Sequence, residues 1–210
     1  MSKMKGKFAE INKNIIKKAF SREGYAFFEN GDLNLNIIGV RNSSGKADTF
    51  DDAMIVLYKK KGKWNLHSYE LTTEPGTRIL RGPIYPGGTA ILVPGQYRGV
   101  YKIGIHKTYT ALVQRNGKVK IWRDDNRDTV PDYVGPEQEG FYGINIHKHS
   151  GSDNRVATGG VSAGCQVFRS SKDFYEFMDL CDKASDIWGN SFTYTLIESD
   201  VLEGNSIVCS

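Results

Sequence analysis

The chain has 210 residues, enough for one domain with a sizeable core, and its 39% hydrophobic and 25% charged residues exclude a disordered or low-complexity protein. A net charge of +4 suits an anionic polymer such as a cell wall or a nucleic acid, but an ordinary solvated surface is the favoured reading. Three cysteines, Cys165, Cys181 and Cys209, with no CxxC or Cys/His finger spacing, exclude a disulfide framework, and no apolar run approaches the ~20 residues of a membrane helix.

The first twenty residues carry lysines but neither a continuous apolar stretch nor a small-residue cleavage site, so no Sec export signal is expected. Phe8, Ile11, Ile15 and Ala19 recur at three- to four-residue steps. That spacing predicts an amphipathic helix over 6–21, ended near Gly24 and packed on the domain rather than laid on a membrane. Residues 1–30 are read as an N-terminal helical segment and 31–210 as one β-rich domain.

From residue 33 the pattern is that of strands. "LNLNIIGV" (33–40) alternates, and "AMIVLYKKKGKWNLHSYELTT" reads as two strands around a Lys-Gly-Lys turn. "TAILVPGQYRGVYKIGIH" follows, then "YTALVQRNGKVKIWRD", in which Asn116-Gly117 predicts a type I′ hairpin. "YGINIHKH" (142–149) alternates again, placing Asn145, His147 and His149 on one face. Ser170 or Ser171 caps a helix with Phe174, Phe177, Met178, Cys181, Ala184 and Trp188 as its buried stripe, stopped by Gly189, and 191–199 is a closing strand. Many short strands with one or two helices give a mainly β fold, a sandwich or barrel.

His147 and Cys165 are the candidates for chemistry. A cysteine attacks as its thiolate, so it needs a base or a positive field nearby. A strand-borne histidine can supply one, as a thiolate–imidazolium pair that later protonates the leaving amine. Gly164 lets backbone approach closely, and amides around the turn can form an oxyanion hole. Taken singly, the same residues also read as a core thiol and a surface imidazole.

"INIHKH" followed by "VSAGCQVF" resembles the motif pair of the L,D-transpeptidases of the YkuD type: a histidine ending a strand, a variable loop, then Ser/Thr-His-Gly-Cys. "ILVPGQYRGVYKI" is similar to the family's Thr-Pro-x-Gly-x-Phe/Tyr strand start, with Val93 in place of the threonine. The likeness spans roughly 85–170. It implies a β fold of L,D-transpeptidase type, with Cys165 forming a thioester with a peptidoglycan stem peptide at the L-centre of a diamino acid. It implies His147 as base, oriented by the carbonyl of Lys148, and Ser162 as the motif serine. Amides near Gly164 and Cys165 would be oxyanion donors, and Tyr97 would contact substrate. Ala163 stands where the family has histidine; His149, on the face of His147, is the candidate to take over part of that role at the substrate. No cofactor and no metal are expected.

Other chemistries fit less well. Papain-like enzymes place Cys before His, and the Thr-Leu-x-Thr-Cys strand of sortases is absent. A zinc site from His147, His149 and Cys165 lacks a carboxylate base on the same element. Asp124, Asn126 and Asp128 open a calcium-loop spacing, but Thr129 and Gly135 stand where Gly and Glu are needed, which favours a solvated turn. Gly-rich stretches lack the Lys-Ser/Thr of a phosphate cradle. Cys181 reads as core and Cys209 as a terminal thiol.

The expected function is a cysteine enzyme acting on peptidoglycan stem peptides, the thioester resolved by water (a carboxypeptidase or endopeptidase) or by an amine (a cross-linker). No nucleic acid and no stable membrane insertion are expected. Without an export signal, delivery to the wall by a phage or a secretion system is expected, which favours hydrolysis. The rival reading is a non-catalytic wall-binding or virion module on the same fold.

Overall fold

The computed structural model describes residues 8, 10–43, 45–149, 157, 158, 160 and 162–204. In chain order, α1 (Lys13–Glu23) precedes β1 (Asn36–Arg41), β2 (Asp52–Lys60) and β3 (Lys63–Thr72). After α2 (Thr77–Arg81) come β4 (Thr89–Leu92), β5 (Gly95–His106), β6 (Tyr109–Gln114), β7 (Val119–Asp124) and β8 (Gln138–Gly140). Then β9 (Ile146–Lys148), β10 (Gln166–Phe168), α3 (Ser171–Trp188), β11 (Phe192–Glu198) and α4 (Ser199–Glu203) complete the chain.

Eight strands close a barrel in the order β1-β11-β5-β6-β9-β10-β3-β2, and β4-β7-β8 form a separate small sheet. Two barrel pairs, β1–β11 and β9–β10, are parallel and the rest antiparallel. The mainly β expectation therefore holds at the level of a barrel. Tyr101, Leu112, Ile146, Phe168 and Tyr194 belong to one core that continues into Phe174, Phe177 and Cys181 of α3. A second core lies on the other face of β1 and β2, where Ile38, Val40 and Ile55 meet Ile16, Ala19 and Phe20 of α1. Strands buried on both faces explain why every residue of β1 is buried despite its alternating sequence.

The helix signals were correct where they were local. Asn12 caps α1 by accepting from the amides of Asn14 and Ile15, and Gly24 ends it at φ 70°. The helix thus starts at Lys13 rather than at residue 6. Ser170 caps α3 through the Asp173 amide and Gly189 ends it. Trp188 departs from its expected buried stripe: it is 48% exposed, with its indole N–H on the Asp32 carbonyl. Among the described residues no helix is long and apolar enough to cross a membrane, a fact that leaves β-barrel membrane proteins aside.

The two predicted hairpins fared differently. Lys61 and Gly62 both take positive φ and join β2 to β3 directly, as a type I′ turn does. Asn116-Gly117 makes no hairpin: β6 pairs with β5 and β9, whereas β7 pairs with β4 and β8. The Asn116 amide donates to the Val100 carbonyl, and a Cβ on Gly117 would lie 2.9 Å from Val100 Cγ2. Here the glycine serves close approach to β5 as the chain crosses between sheets.

Candidate active site

The segment before His147 is built by side chains rather than by a ladder. Only Ile146–Lys148 of the expected strand 142–149 is regular. Upstream, the buried Gln114 replaces a neighbouring strand: its Oε1 accepts from the amides of Tyr142, Gly143 and Ile144 at 3.0, 2.8 and 3.2 Å. Its Nε2 donates to the carbonyls of Gly117 and Gly140. A main chain that lacks ladder partners must find others, and here one amide side chain provides them.

The Cys165 turn is held with equal economy. Ser162 Oγ donates to the Cys165 carbonyl at 2.9 Å and accepts from the Gly164 amide at 3.3 Å. Gly164 sits at φ 104°, and a Cβ there would lie 2.2 Å from the Ala90 carbonyl, so no other residue fits. Gln166 reaches back from the barrel interior, its Nε2 on the Gly164 carbonyl and its Oε1 accepting from Tyr194. The Gly164 amide is therefore engaged by Ser162. The Cys165 amide donates to no described residue and is the one free to meet an oxyanion.

Cys165 and His147 share a face. Strands β9 and β10 are parallel with Gln166 opposite Ile146 and Val167 opposite His147, so Cys165 lies beside Asn145. His147 is the next residue along on that face, a diagonal of about 8 Å between Cα positions from strand rise and spacing. The thiol is partly exposed. It donates to the Gly143 carbonyl at 3.5 Å and accepts from the Asn145 amide at 3.4 Å. Among the described residues it makes no hydrogen bond to His147.

His147 is buried, and its Nδ1 lies 2.8 Å from the Lys148 carbonyl. Nδ1 therefore carries the proton and donates, which leaves the Nε2 lone pair for a base. The Tyr109 hydroxyl donates to the same carbonyl at 3.3 Å. His106, at the end of β5, stacks on His147 with centroids 4.3 Å apart and planes 13° from parallel. Asn145 Nδ2 donates to His106 Nδ1 at 3.1 Å, and Asn145 Oδ1 accepts from the Gln114 amide, which fixes how the amide is turned. His106 Nε2 is consequently the protonated nitrogen, buried and without a described partner. The sequence pattern put Asn145 on the face of His147 without a role and did not single out His106, Gln114 or Tyr109, because only the β5–β6–β9 pairing brings them here.

Burial dominates the electrostatics. It pushes the Cys165 thiol up to about 11, against the pull of the Asn145 amide and the Lys107 charge. It lowers His147 to about 4, opposed by the Lys148 carbonyl and helped by His106 and Lys107. The two groups thus rest as neutral thiol and neutral imidazole, not as the thiolate–imidazolium pair expected from sequence.

The remaining candidates lie apart from the thiol. His149 is buried, edge-on to Phe50 with centroids 5.8 Å apart, its Nε2 3.4 Å from the Thr158 carbonyl. It stands four residues along the strand from the position beside Cys165, about 13 Å of rise. Tyr97 is buried with its hydroxyl donating to the Val93 and Lys120 carbonyls. Lys148 lays its Nζ over the Tyr109 ring at 4.9 Å. Cys181 is core, as expected, and Cys209 lies outside the described residues. The Asp124 turn is less solvated than expected: Asp124 is fully buried and accepts from the Asp132 amide, while Asn126 Nδ2 bridges Asp128 and Asp132. Among the described residues, no three His, Cys, Asp or Glu side chains converge to hold a metal ion, and the zinc triad of His147, His149 and Cys165 is pulled apart by their separate partners.

No family model, no curated protein and no solved structure matches the chain.

Proposed function

We propose that this protein is a cysteine acyl-transfer enzyme of L,D-transpeptidase type that acts on peptidoglycan stem peptides. The observation that carries the reading is the main-chain orientation of the base: His147 Nδ1–H on the Lys148 carbonyl, on the strand parallel to Cys165 and on the same face. That is the arrangement the sequence resemblance implied, and it uses no carboxylate.

The neutral resting state dictates the order of events. A peptide carbonyl enters beside the thiol; as Sγ attacks, its proton passes to His147 Nε2 and the carbonyl electrons move onto oxygen, which the Cys165 amide receives. Collapse of the tetrahedral species breaks the C–N bond, and the imidazolium returns the proton to the leaving amine. Water or an acceptor amine, deprotonated by His147, then cleaves the thioester and frees the thiol. Water gives a shortened stem, an amine a cross-link. Delivery by a phage or a secretion system, which favours hydrolysis, belongs to this reading.

The second reading is a wall-binding or virion module that keeps the fold without turnover. Its support is that the thiol is bonded to Gly143 and Asn145 rather than to His147, with Ala163 where the family has histidine. Mass spectrometry of muropeptides from sacculi treated with the protein or its Cys165→Ala variant decides between them. New stems from the wild type alone are expected, and their masses separate hydrolysis from transfer. Binding to sacculi with no new stems from either protein would establish the module instead.

A further inference from the structure

Arg123, next to last in β7, pairs with Ala90, whose carbonyl lies against Gly164 of the Cys165 turn, and it shares the side of the small sheet that Val119 and Ile121 turn to the core. Its guanidinium is fixed by neutral groups alone. Nη1 donates to the Gly88 carbonyl at 3.0 Å and Nε to Gln138 Oε1 at 3.4 Å. Two tyrosine rings lie against it, Tyr85 at 4.5 Å and Tyr142 at 5.2 Å from Cζ to centroid. Each ring rests on a glycine: a Cβ on Gly87 would lie 2.7 Å from Tyr85 Cε1, and one on Gly140 would lie 2.9 Å from Tyr142 Cζ. Among the described residues no carboxylate pairs with Arg123, and Nη2 has no acceptor.

A guanidinium held between two rings without a carboxylate differs from the two arginines that are ion-paired in the fold. Arg41 is buried against Glu198, and Arg169 pairs with Glu70. The position of Arg123 is also specific. Tyr142 directly precedes Gly143, whose carbonyl accepts the Cys165 thiol. The stack is therefore tied through one peptide unit to the main chain that cradles the nucleophile.

We propose that Arg123 seats a free carboxylate of the peptide whose carbonyl Cys165 attacks. One fixed guanidinium edge matches a planar monoanion, whereas a polyphosphate backbone calls for a row of cations. The anion seat stands on the geometry of Arg123; that the carboxylate belongs to a stem peptide rests on the function proposed above. Two carboxylates of such a peptide qualify, the one at its C-terminus and the one on the diamino acid.

The experiment has two arms. In the first, the arginine Nε–H signals of the wild-type protein are followed by NMR during titration with N-acetyl-D-alanine and with its amide, Arg123 being assigned by loss of its signal in Arg123→Gln. A saturating shift with the acid and none with the amide is expected; a signal indifferent to the acid overturns the seat. In the second, turnover of disaccharide tetrapeptides is measured with both carboxylates free, with only the C-terminus amidated, and with only the diamino acid amidated. For Arg123→Gln a KM raised ~10- to 100-fold with kcat within a few-fold is expected on the free substrate. The amidated substrate that wild type handles as poorly as the variant does identifies the carboxylate. Equal KM for wild type and variant on all three overturns the proposal. A shift in the first arm with no wild-type turnover in the second sinks the stem-peptide reading and leaves the anion seat standing.

Discussion

The back of the barrel and its front are held by different means. At the back, β1 pairs along its length with β2 and β11, and α1 covers the outer face with Ile16, Ala19 and Phe20. At the front, β9 and β10 are three residues each, and three amide side chains, Gln114, Asn145 and Gln166, do the work of missing strand. Long ladders make a wall that tolerates local change. Short strands pinned by side chains place a thiol, an imidazole and an open amide precisely where no ladder could, but each pin is a single point of failure.

The contrast breaks most visibly at the base. His147→Gln is expected to lower turnover by ~10²- to 10⁴-fold, the span of general-base catalysis, while the urea midpoint of unfolding barely moves. A loss of under tenfold would take the base role from His147.

Next come two truncations that set the regions against each other. Gln114→Ala strips the acceptor from three amides at the front, and is expected to cost about 3–5 kcal/mol and most of the turnover. Ile38→Ala, in the fully buried back wall, is expected to cost a similar ~2–5 kcal/mol with turnover retained at temperatures where it stays folded. Urea unfolding with matched activity assays measures both. Equal loss of activity in the two variants would erase the distinction.

The pH dependence of stability is smaller. His147 titrates near 4 in the fold, against ~6.5 in the unfolded chain, so the unfolded state binds more protons between those values. The stability it supports is complete above ~6.5 and is lost as pH falls through 4, by about 3 kcal/mol. The difference between wild type and His147→Gln across pH 4–8 isolates it from other groups, such as the buried Asp52, raised to about 7 by burial and Glu74. The same burial predicts that iodoacetamide labelling of Cys165 climbs toward pH 11 with no plateau near pH 6.

Smallest is the effect of His106→Phe, which keeps a ring against His147 but removes the acceptor of Asn145 Nδ2 and the buried Nε2–H. A roughly tenfold loss of kcat/KM is expected, about 1.4 kcal/mol in the barrier. Because His106 helps to lower His147, the acid limb of the pH profile moves up as well. An unmoved limb would reduce His106 to packing.

Much of the frame was legible because its signals are local. The Ser cap of α3, the Gly stops, the Lys-Gly-Lys turn, the alternation of β2 and β3 and the stripe of α3 all act within a few residues. So did the pairing of His147 with its neighbour's carbonyl, once the resemblance supplied the idea. What the sequence hid was long-range. Asn116-Gly117 carries the same hairpin signal as Lys61-Gly62 or better, yet pairing with Val100 and the small sheet overrides it. His149 alternates with His147 and looks like its partner. The strand's length carries it away to Phe50, while His106, 41 residues upstream of His147, takes the place beside that ring.

The carbonyl of Lys148 has a genetic meaning. It orients the His147 ring and anchors Tyr109, yet it belongs to the peptide unit, so exchange of the side chain at 148 leaves it in place. A saturation library at position 148 should be permissive apart from proline, whereas position 147 should accept almost nothing. An inhibitor gripping that carbonyl would address a contact that point mutation cannot delete.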